Sequence, residues 1–175
     1  RAEVDRRSHM TLDHAMRQAL VSGRFRLHYQ PQVRLADGRI VGAEALLRWK
    51  HPQRGLVQPA EFIPPAEDTG LIVPIGNWVL EAACRQLRDW QEDAATRELV
   101  MAVNVSARQF HQPNFVSGVR QILQQTGAAP SRLKLELTEN VIIDDIEDTI
   151  EKMQELKSMG IGFSMDDFGT GYSSL

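Results

Sequence analysis

Residues 132–138 of this chain read RLKLELT, an alternation that puts three leucines on one face of an extended strand and Glu136 on the other. The same design recurs at VMAVNV (100–105), where Asn104 lies opposite the apolar residues, and at IGFSMD (161–166), where Asp166 does. These polar residues lie about 30 residues apart, the length of one strand-plus-helix unit in a β/α barrel. Because the strands of such a barrel end at one rim, we expect the three side chains to meet in space.

A further strand-like segment, residues 40–48, carries Glu44, Leu46 and Arg48 on one face. A carboxylate, an apolar contact and a cation would then line one wall, which suits a metal ion beside a phosphate ester. Oxygen ligands at the carboxyl end of a barrel are what a hard divalent cation needs. The carboxylates of the whole set are Glu44, Glu136, Asp166 and Asp167. Only divalent cations can reconcile their charge with a polyanionic substrate.

Each of these residues also has an ordinary structural explanation. A lone carboxylate such as Glu136 at a strand end is more often solvated or caps a helix. Asn104 could tie down a loop, and Arg48 could pair with a nearby carboxylate rather than with a substrate. Asp166 and Asp167 are adjacent, so both reach one site only if the chain leaves the strand there, which the glycines that follow permit. Taken together, the positions favour a metal site.

The order of the elements predicts an α/β fold. From residue 99 onward strands and helices alternate, which is the pattern of a parallel β/α architecture. A tight turn at 36–38 joins two earlier strands, and so short a connection makes them antiparallel. A helical stripe upstream, which Thr11 could cap and Gly23 could end, would lead into the sheet.

The polar residues lie within six ordered blocks of sequence: YQP (29–31), EAL (44–46), LRW (47–49), NVS (104–106), ELTE (136–139) and DDFGTGYSS (166–174). In these blocks the chain resembles the EAL-domain family of bacterial cyclic-di-GMP phosphodiesterases. The resemblance covers nearly the whole chain after a short leader. It implies a TIM-like (β/α)8 barrel, here with an antiparallel first strand. It also implies that the barrel binds two Mg²⁺ or Mn²⁺ ions and hydrolyses one phosphodiester of cyclic-di-GMP to linear pGpG.

The resemblance and the phase of the strands together give each residue an expected role. The expected metal ligands are Glu44, Asn104, Glu136, Asp166 and Asp167, of which Glu44, Asp166 and Asp167 are also the expected catalytic residues. The expected substrate contacts are Gln30, Leu46 and Arg48, with the Arg48 guanidinium donating to a phosphate oxygen. By resemblance, Glu139 steadies the glycine-containing loop, although its place after the strand equally suits the first turn of a helix.

Length sets this chain apart from complete barrels, which need about 250 residues, because it ends at Leu175 in the loop after the fifth counted strand. We therefore expect residues 1–23 to be a leader or linker helix from an upstream domain, and residues 24–175 to be an EAL domain that is truncated after about the fifth strand. The family's downstream lysine, further glutamate and late glutamine have no counterpart here, so the fragment alone is expected to be inactive. The alternative function is a catalytically silent EAL-like module that binds cyclic-di-GMP or a protein partner. The intact acidic motifs favour the enzyme.

Composition predicts a cytoplasmic protein, because 42% hydrophobic and 25% charged residues are ordinary for a globular domain and a single cysteine fits a reducing compartment. That residue, Cys84, lies on an apolar helical stripe and is expected to be buried.

A net charge of -3 gives no reason to expect polymeric nucleic acid as a partner. The sequence shows no apolar run of membrane-spanning length, so no membrane contact is expected from this segment, although a parent protein could be anchored upstream. The open sheet edge of a partial barrel favours a homodimer.

Overall fold

A computed structural model describes the backbone of residues 2–165 and the side chains of residues 12–165. Its strands are β1 (Phe25–Val33), β2 (Ile40–His51), β3 (Gly55–Val57), β4 (Val100–Val105), β5 (Leu133–Leu137) and β6 (Gly162–Met165). Its helices are α1 (Ala2–Ser22), α2 (Pro59–Thr69), α3 (Ile72–Gln91), α4 (Ala107–Phe110), α5 (Phe115–Thr126), α6 (Glu139–Asp144) and α7 (Ile146–Ser158), with a 3₁₀ turn at Pro130–Arg132. Two of the expected site residues, Asp166 and Asp167, lie outside the described residues.

The strands form one mixed sheet in the order β1-β2-β4-β5-β6, with β3 paired to the end of β2. β1 runs antiparallel to β2, whereas β2, β4, β5 and β6 run parallel to one another. The tight turn explains the first pairing, because Gly38 adopts a φ of 68° and Arg34 pairs with Asp37 within the turn. The predicted α/β fold with an antiparallel first strand is confirmed.

One face of the sheet packs against the helices and forms the core. Ala45, Leu47 and Trp49 alternate along β2 on this face, and each is at most 2% exposed. The rings of Trp49 and Phe62 meet edge to face with centroids 5.5 Å apart. Cys84 of α3 is also buried in this core, as predicted, and burial raises the pKa of its thiol to about 12. Burying a large apolar side chain contributes about 1.5–3 kcal/mol, so this face holds β2 in register.

Helix α1 begins earlier than predicted. It runs unbroken through Thr11, so the expected N-cap at that residue is wrong. Met16 and Ala19 are buried against the rest of the domain, and Gly23 ends the helix with a φ of 65°. Across residues 2–165, we find no helix with both the length and the apolar character that crossing a membrane requires.

Candidate active site

The face of the sheet away from the helices, hereafter the inner face, carries the polar residues of the strands. On β2 the residues that alternate with the buried ones are Glu44, Leu46 and Arg48, and each is partly exposed. The register pairs Glu44 with Ala102 on β4, and pairs Asn104 on β4 with Glu136 on β5. Neighbours in register point to the same side of a sheet, so all of these side chains share the inner face.

Three of the five expected metal ligands form a cluster on the inner face. Asn104 Nδ2 donates a hydrogen bond of 2.8 Å to Glu44 Oε1, across 60 residues of sequence. Glu136 is the register partner of Asn104 on the neighbouring strand. Asn104 is 4% exposed and Glu136 is 7% exposed, so these two residues lie largely out of water, whereas Glu44 stays partly exposed. Two carboxylates and one amide, all with oxygen donors, are therefore brought together.

One residue beside the cluster was not assigned a role by sequence reasoning. Lys134 lies two positions before Glu136 on β5, and the Lys134 Nζ is 3.9 Å from Glu136 Oε1. The signal was present in the alternation of RLKLELT, because residues two apart on a strand share a face. The carboxylate of Glu136 therefore has a cation beside it.

The expected substrate contacts lie on β1 and β2. Gln30 is the register partner of Glu44, so it lies beside the cluster, and Leu46 faces His28. The Arg48 Nη1 donates to the backbone carbonyl of Leu47 at 2.8 Å. Within residues 12–165, Arg48 makes no ion pair with a carboxylate. The alternative of a structural ion pair therefore has no support among these residues.

The antiparallel register adds a basic flank that the sequence analysis missed. Arg26 is the direct partner of Arg48, and the exposed His28 is the next residue of β1 on the same face. Arg26 Nη1 donates to the carbonyls of Gly23 and Phe25. Like charges opposite each other in a sheet repel, and an anion between them would relieve that repulsion. Recognising this flank requires the register of the hairpin and not the residue types alone.

A cavity of about 710 Å³ opens at the carboxyl ends of β4 and β5. Its lining includes Ser106 and Thr138, which directly follow these two strands, and Arg108 on α4. Glu44, Asn104 and Glu136 are not part of this lining, although Ser106 and Thr138 come two residues after Asn104 and Glu136. Glu139 is the first residue of α6, as the structural explanation of this residue predicts. The glycine-containing loop lies outside the described residues.

A polar network next to the cavity ties α7 to the segment after α4. His111 Nδ1 contacts Asp148 Oδ2 at 2.9 Å, and His111 Nε2 contacts the carbonyl of Val141 at 2.9 Å. Lys152 Nζ lies 2.8 Å from the same oxygen of Asp148 and donates to the carbonyl of Phe110 at 3.0 Å. Partial burial by itself would raise the pKa of Asp148, but the hydrogen bonds from Lys152 and His111 lower that pKa below its ordinary value.

The donor set of the cluster suits a hard divalent cation. Carboxylate and amide oxygens are the ligands that Mg²⁺ and Mn²⁺ prefer. Glu44 and Glu136 offer carboxylate oxygens. Asn104 offers its amide oxygen, because its amide nitrogen already donates to Glu44. Within the described residues, no group of three or more acidic, histidine or cysteine side chains could hold a metal ion. The cluster is therefore a partial ligand set with two carboxylates.

Comparison with known proteins identifies the class. The model of the EAL domain family matches residues 13–175. The chain is 49% identical over 166 residues to the bifunctional diguanylate cyclase/cyclic di-GMP phosphodiesterase MucR of Pseudomonas aeruginosa, over 95% of this chain and 24% of that protein. It is 43% identical to the cyclic di-GMP phosphodiesterase NbdA of the same organism, over 95% of this chain and 21% of that protein.

The solved structures agree with the sequence comparison. The PaMucR phosphodiesterase in its c-di-GMP complex superposes with a TM-score of 0.86 at 48% identity, over 94% of this chain and 66% of that chain. The chain therefore belongs to the EAL domain family, and the resemblance drawn from the six blocks is confirmed. EAL domains have a TIM-like barrel fold, so the predicted fold class is confirmed as well. The chain spans about a quarter or less of the two curated phosphodiesterases that it matches.

Proposed function

We propose that this chain forms part of a phosphodiesterase that hydrolyses cyclic-di-GMP to linear pGpG in bacterial second-messenger signalling. The observation that supports this most is the cluster of Glu44, Asn104 and Glu136 on the inner face. These three residues belong to the EAL, NVS and ELTE blocks. The relatives MucR and NbdA carry cyclic di-GMP phosphodiesterase names, which supports the same substrate here.

Two Mg²⁺ or Mn²⁺ ions are the proposed cofactors. Glu44, Asn104 and Glu136 would hold them together with Asp166 and Asp167, which follow β6 in sequence. When bound, such ions would make a water molecule a better nucleophile and would stabilise the negative charge that develops on the diester oxygens. The hydrogen bond from Asn104 to Glu44 keeps that carboxylate oriented on the inner face before any ligand arrives.

The remaining residues of the inner face would bind the dinucleotide. Arg48 would donate to a non-bridging phosphate oxygen. Within residues 12–165 its guanidinium donates to a backbone carbonyl, that of Leu47, and makes no ion pair that a phosphate would have to break. Gln30 and Leu46 would contact the dinucleotide beside the cluster. Arg26, opposite Arg48, adds positive charge at the same end of the sheet, which favours a diester anion there. We also propose that Glu139, at the start of α6, steadies the loop that follows β6.

Two further proposals concern the location and the assembly of the protein. We propose a cytoplasmic location, from the composition and the single buried cysteine. We propose a homodimer, because β1 and β6 are each paired on one side among the described strands and such edges favour association. Light scattering of the purified protein checks the second proposal, with twice the monomer mass as the expected result.

The fragment itself is expected to lack activity. Residues 1–175 produced alone should show no appreciable conversion of cyclic-di-GMP, because the described strands leave the sheet open and these residues do not include the further lysine and glutamate that the family resemblance implies. Chromatography of the reaction products measures this. Robust Mg²⁺-dependent formation of pGpG by a monomer of this length would contradict the expectation.

The enzymatic proposal is tested in a protein with a complete barrel. Wild type should convert cyclic-di-GMP to pGpG with Mg²⁺ or Mn²⁺ and should leave GTP intact, since the chain has no P-loop for a triphosphate. Glu44→Ala and Asp166→Ala should abolish the conversion. Glu151→Ala, which removes an exposed carboxylate on α7, is the matched control and should retain full activity.

Three results would contradict the assignment. Wild-type turnover in Glu44→Ala would show that this carboxylate does not serve the reaction. Tight binding of cyclic-di-GMP by the wild-type protein with no turnover in either metal would favour the silent receptor instead. Hydrolysis of GTP at a comparable rate would show that the pocket has been misread.

A further inference from the structure

Lys134 is a cation on the inner face to which the proposed reaction gives no role. Its Nζ lies 3.9 Å from Glu136 Oε1, and its side chain is 31% exposed whereas that of Glu136 is 9% exposed. The carboxylate is thus shielded from water while the ammonium stays partly hydrated. Lys134 precedes Glu136 on β5 and is therefore distinct from the lysine that the family resemblance implies downstream of Leu175.

The neighbours of Lys134 direct its side chain along the inner face. Ala102 and Gly162 are its register partners on β4 and β6. Both are small, and a Cβ built on Gly162 would lie 3.7 Å from Lys134 Cγ, so the lysine stem runs over the glycine. Within residues 12–165, Glu136 is the carboxylate with which Lys134 forms an ion pair. The two side chains therefore lie along the same face of β5 within ion-pair distance.

We propose that Lys134 is a positioning residue that holds Glu136 in the metal-free state and weakens the binding of divalent cations there. The inference rests on the proposed function, because it takes Glu136 as a metal ligand. Without a cation, the ammonium offsets the repulsion between the carboxylates of Glu136 and Glu44 on the inner face. A divalent cation that binds Glu136 must do so close to this like charge. Affinity for the metal is then set in part by Lys134.

The experiment removes the charge and keeps the length of the side chain. In the protein with a complete barrel, Lys134→Met should bind Mn²⁺ about three- to tenfold more tightly by calorimetry. The same variant should melt at a lower temperature in EDTA and show a larger increase in melting temperature when Mn²⁺ is added. Lys134→Arg should restore wild-type affinity within about twofold, because it keeps the charge. Lys157→Met, which removes an exposed lysine on α7, is the matched control and should change neither readout.

The outcomes separate this inference from the proposed function. If wild type binds Mn²⁺ and Lys134→Met binds it equally or more weakly, Lys134 does not weaken metal binding. That result would overturn the inference about Lys134 and leave the proposed function standing. If wild type shows neither Mn²⁺ binding nor a metal-dependent melting temperature, the proposed function fails and this inference fails with it. Lys134→Gln is measured in parallel, so that a folding defect of the methionine variant leaves the charge effect measurable.

Discussion

Asn104 shows how much one side chain can contribute to a candidate site. Its amide nitrogen donates to Glu44 at 2.8 Å, and on the neighbouring strand it lies beside Glu136. A carboxylate at this position could accept but not donate, whereas an amide does both. Asn104 is therefore able to orient one acid while keeping an oxygen for a cation, and it adds no negative charge to the cluster.

A substitution at this residue gives the first prediction. Asn104→Asp should lower the free energy of unfolding by about 1–3 kcal/mol in EDTA, because a buried donor is replaced by a third carboxylate next to Glu44. Added Mn²⁺ should recover part of the loss by neutralising the acids. Urea denaturation with and without metal measures both effects. Asn140→Asp, at an exposed position of α6, is the control, and a loss equal to that of the control would contradict the role of the hydrogen bond.

Several residues of the site were predictable and others were not, for a physical reason. The faces of Glu44, Asn104 and Glu136 follow from alternation along single strands, which local sequence reveals. The contact between Asn104 and Glu44 spans 60 residues and needs the order of the strands in the sheet. The pairing of Arg26 with Arg48 needs the hairpin register in the same way.

At the scale of elements, α3 and α4 pack through a glycine. A Cβ built on Gly76 would lie 2.2 Å from Gln109 Oε1, and Gln109 is 1% exposed. Gln109 Nε2 also donates to Asn77 at 3.2 Å, which holds the amide against α3. Because α4 directly follows the strand that carries Asn104, this packing supports the position of the cluster.

This packing predicts that even an alanine side chain at position 76 destabilises the protein. Gly76→Ala should lower the free energy of unfolding by about 1–3 kcal/mol, because Gln109 is enclosed and cannot move aside freely. Gly118→Ala in α5 is the matched control, since its Cβ would meet nothing within 4 Å. There the better helix propensity of alanine should leave stability unchanged or raise it by up to about 1 kcal/mol. Urea denaturation measures the free energy of unfolding of both variants. Equal stabilities of Gly76→Ala and Gly118→Ala would contradict the steric argument.

The network of His111, Asp148 and Lys152 predicts a dependence on pH. The pKa of Asp148 is lower when folded than in the unfolded chain, so its stabilising contribution is present above the ordinary carboxyl pKa. That contribution is lost as the pH falls through the lower, folded pKa. Asp148→Asn should therefore flatten the dependence of stability on pH at acidic values and should cost on the order of 1 kcal/mol at neutral pH, because the side chain is only partly buried.

Thermal unfolding across the acidic range measures the effect of Asp148→Asn. Asp144→Asn, an exposed carboxylate on α6, is the control and should keep the wild-type slope. An unchanged slope in Asp148→Asn would show that the network does not hold Asp148 ionised.

Element boundaries were less predictable than element types. Gly23 marks the end of α1 as expected, but the helix continues upstream of Thr11 because the residues before it also form helical turns. β3 is three residues long, which is too short for a periodic pattern to reveal. The antiparallel start of the sheet was predictable from the turn at 36–38 alone.

At the scale of the molecule, the sheet separates a core from a site. The outer face buries the apolar residues against the helices, and the inner face gathers the carboxylates, the amide and the basic side chains. Since both faces come from alternate residues of the same strands, the register that buries Leu47 and Trp49 also aligns Glu44 and Arg48. Core packing thus sets the geometry on which the proposed chemistry depends.

The central claim is that this inner-face cluster binds divalent metal next to cyclic-di-GMP. Anomalous scattering from crystals of the complete barrel, grown with Mn²⁺ and cyclic-di-GMP, tests it most directly. We predict manganese peaks within coordination distance of oxygens of Glu44, Asn104 and Glu136, with a phosphate of the dinucleotide beside them and near Arg48. Bound dinucleotide without manganese at these three residues, or manganese bound only elsewhere, would contradict the account.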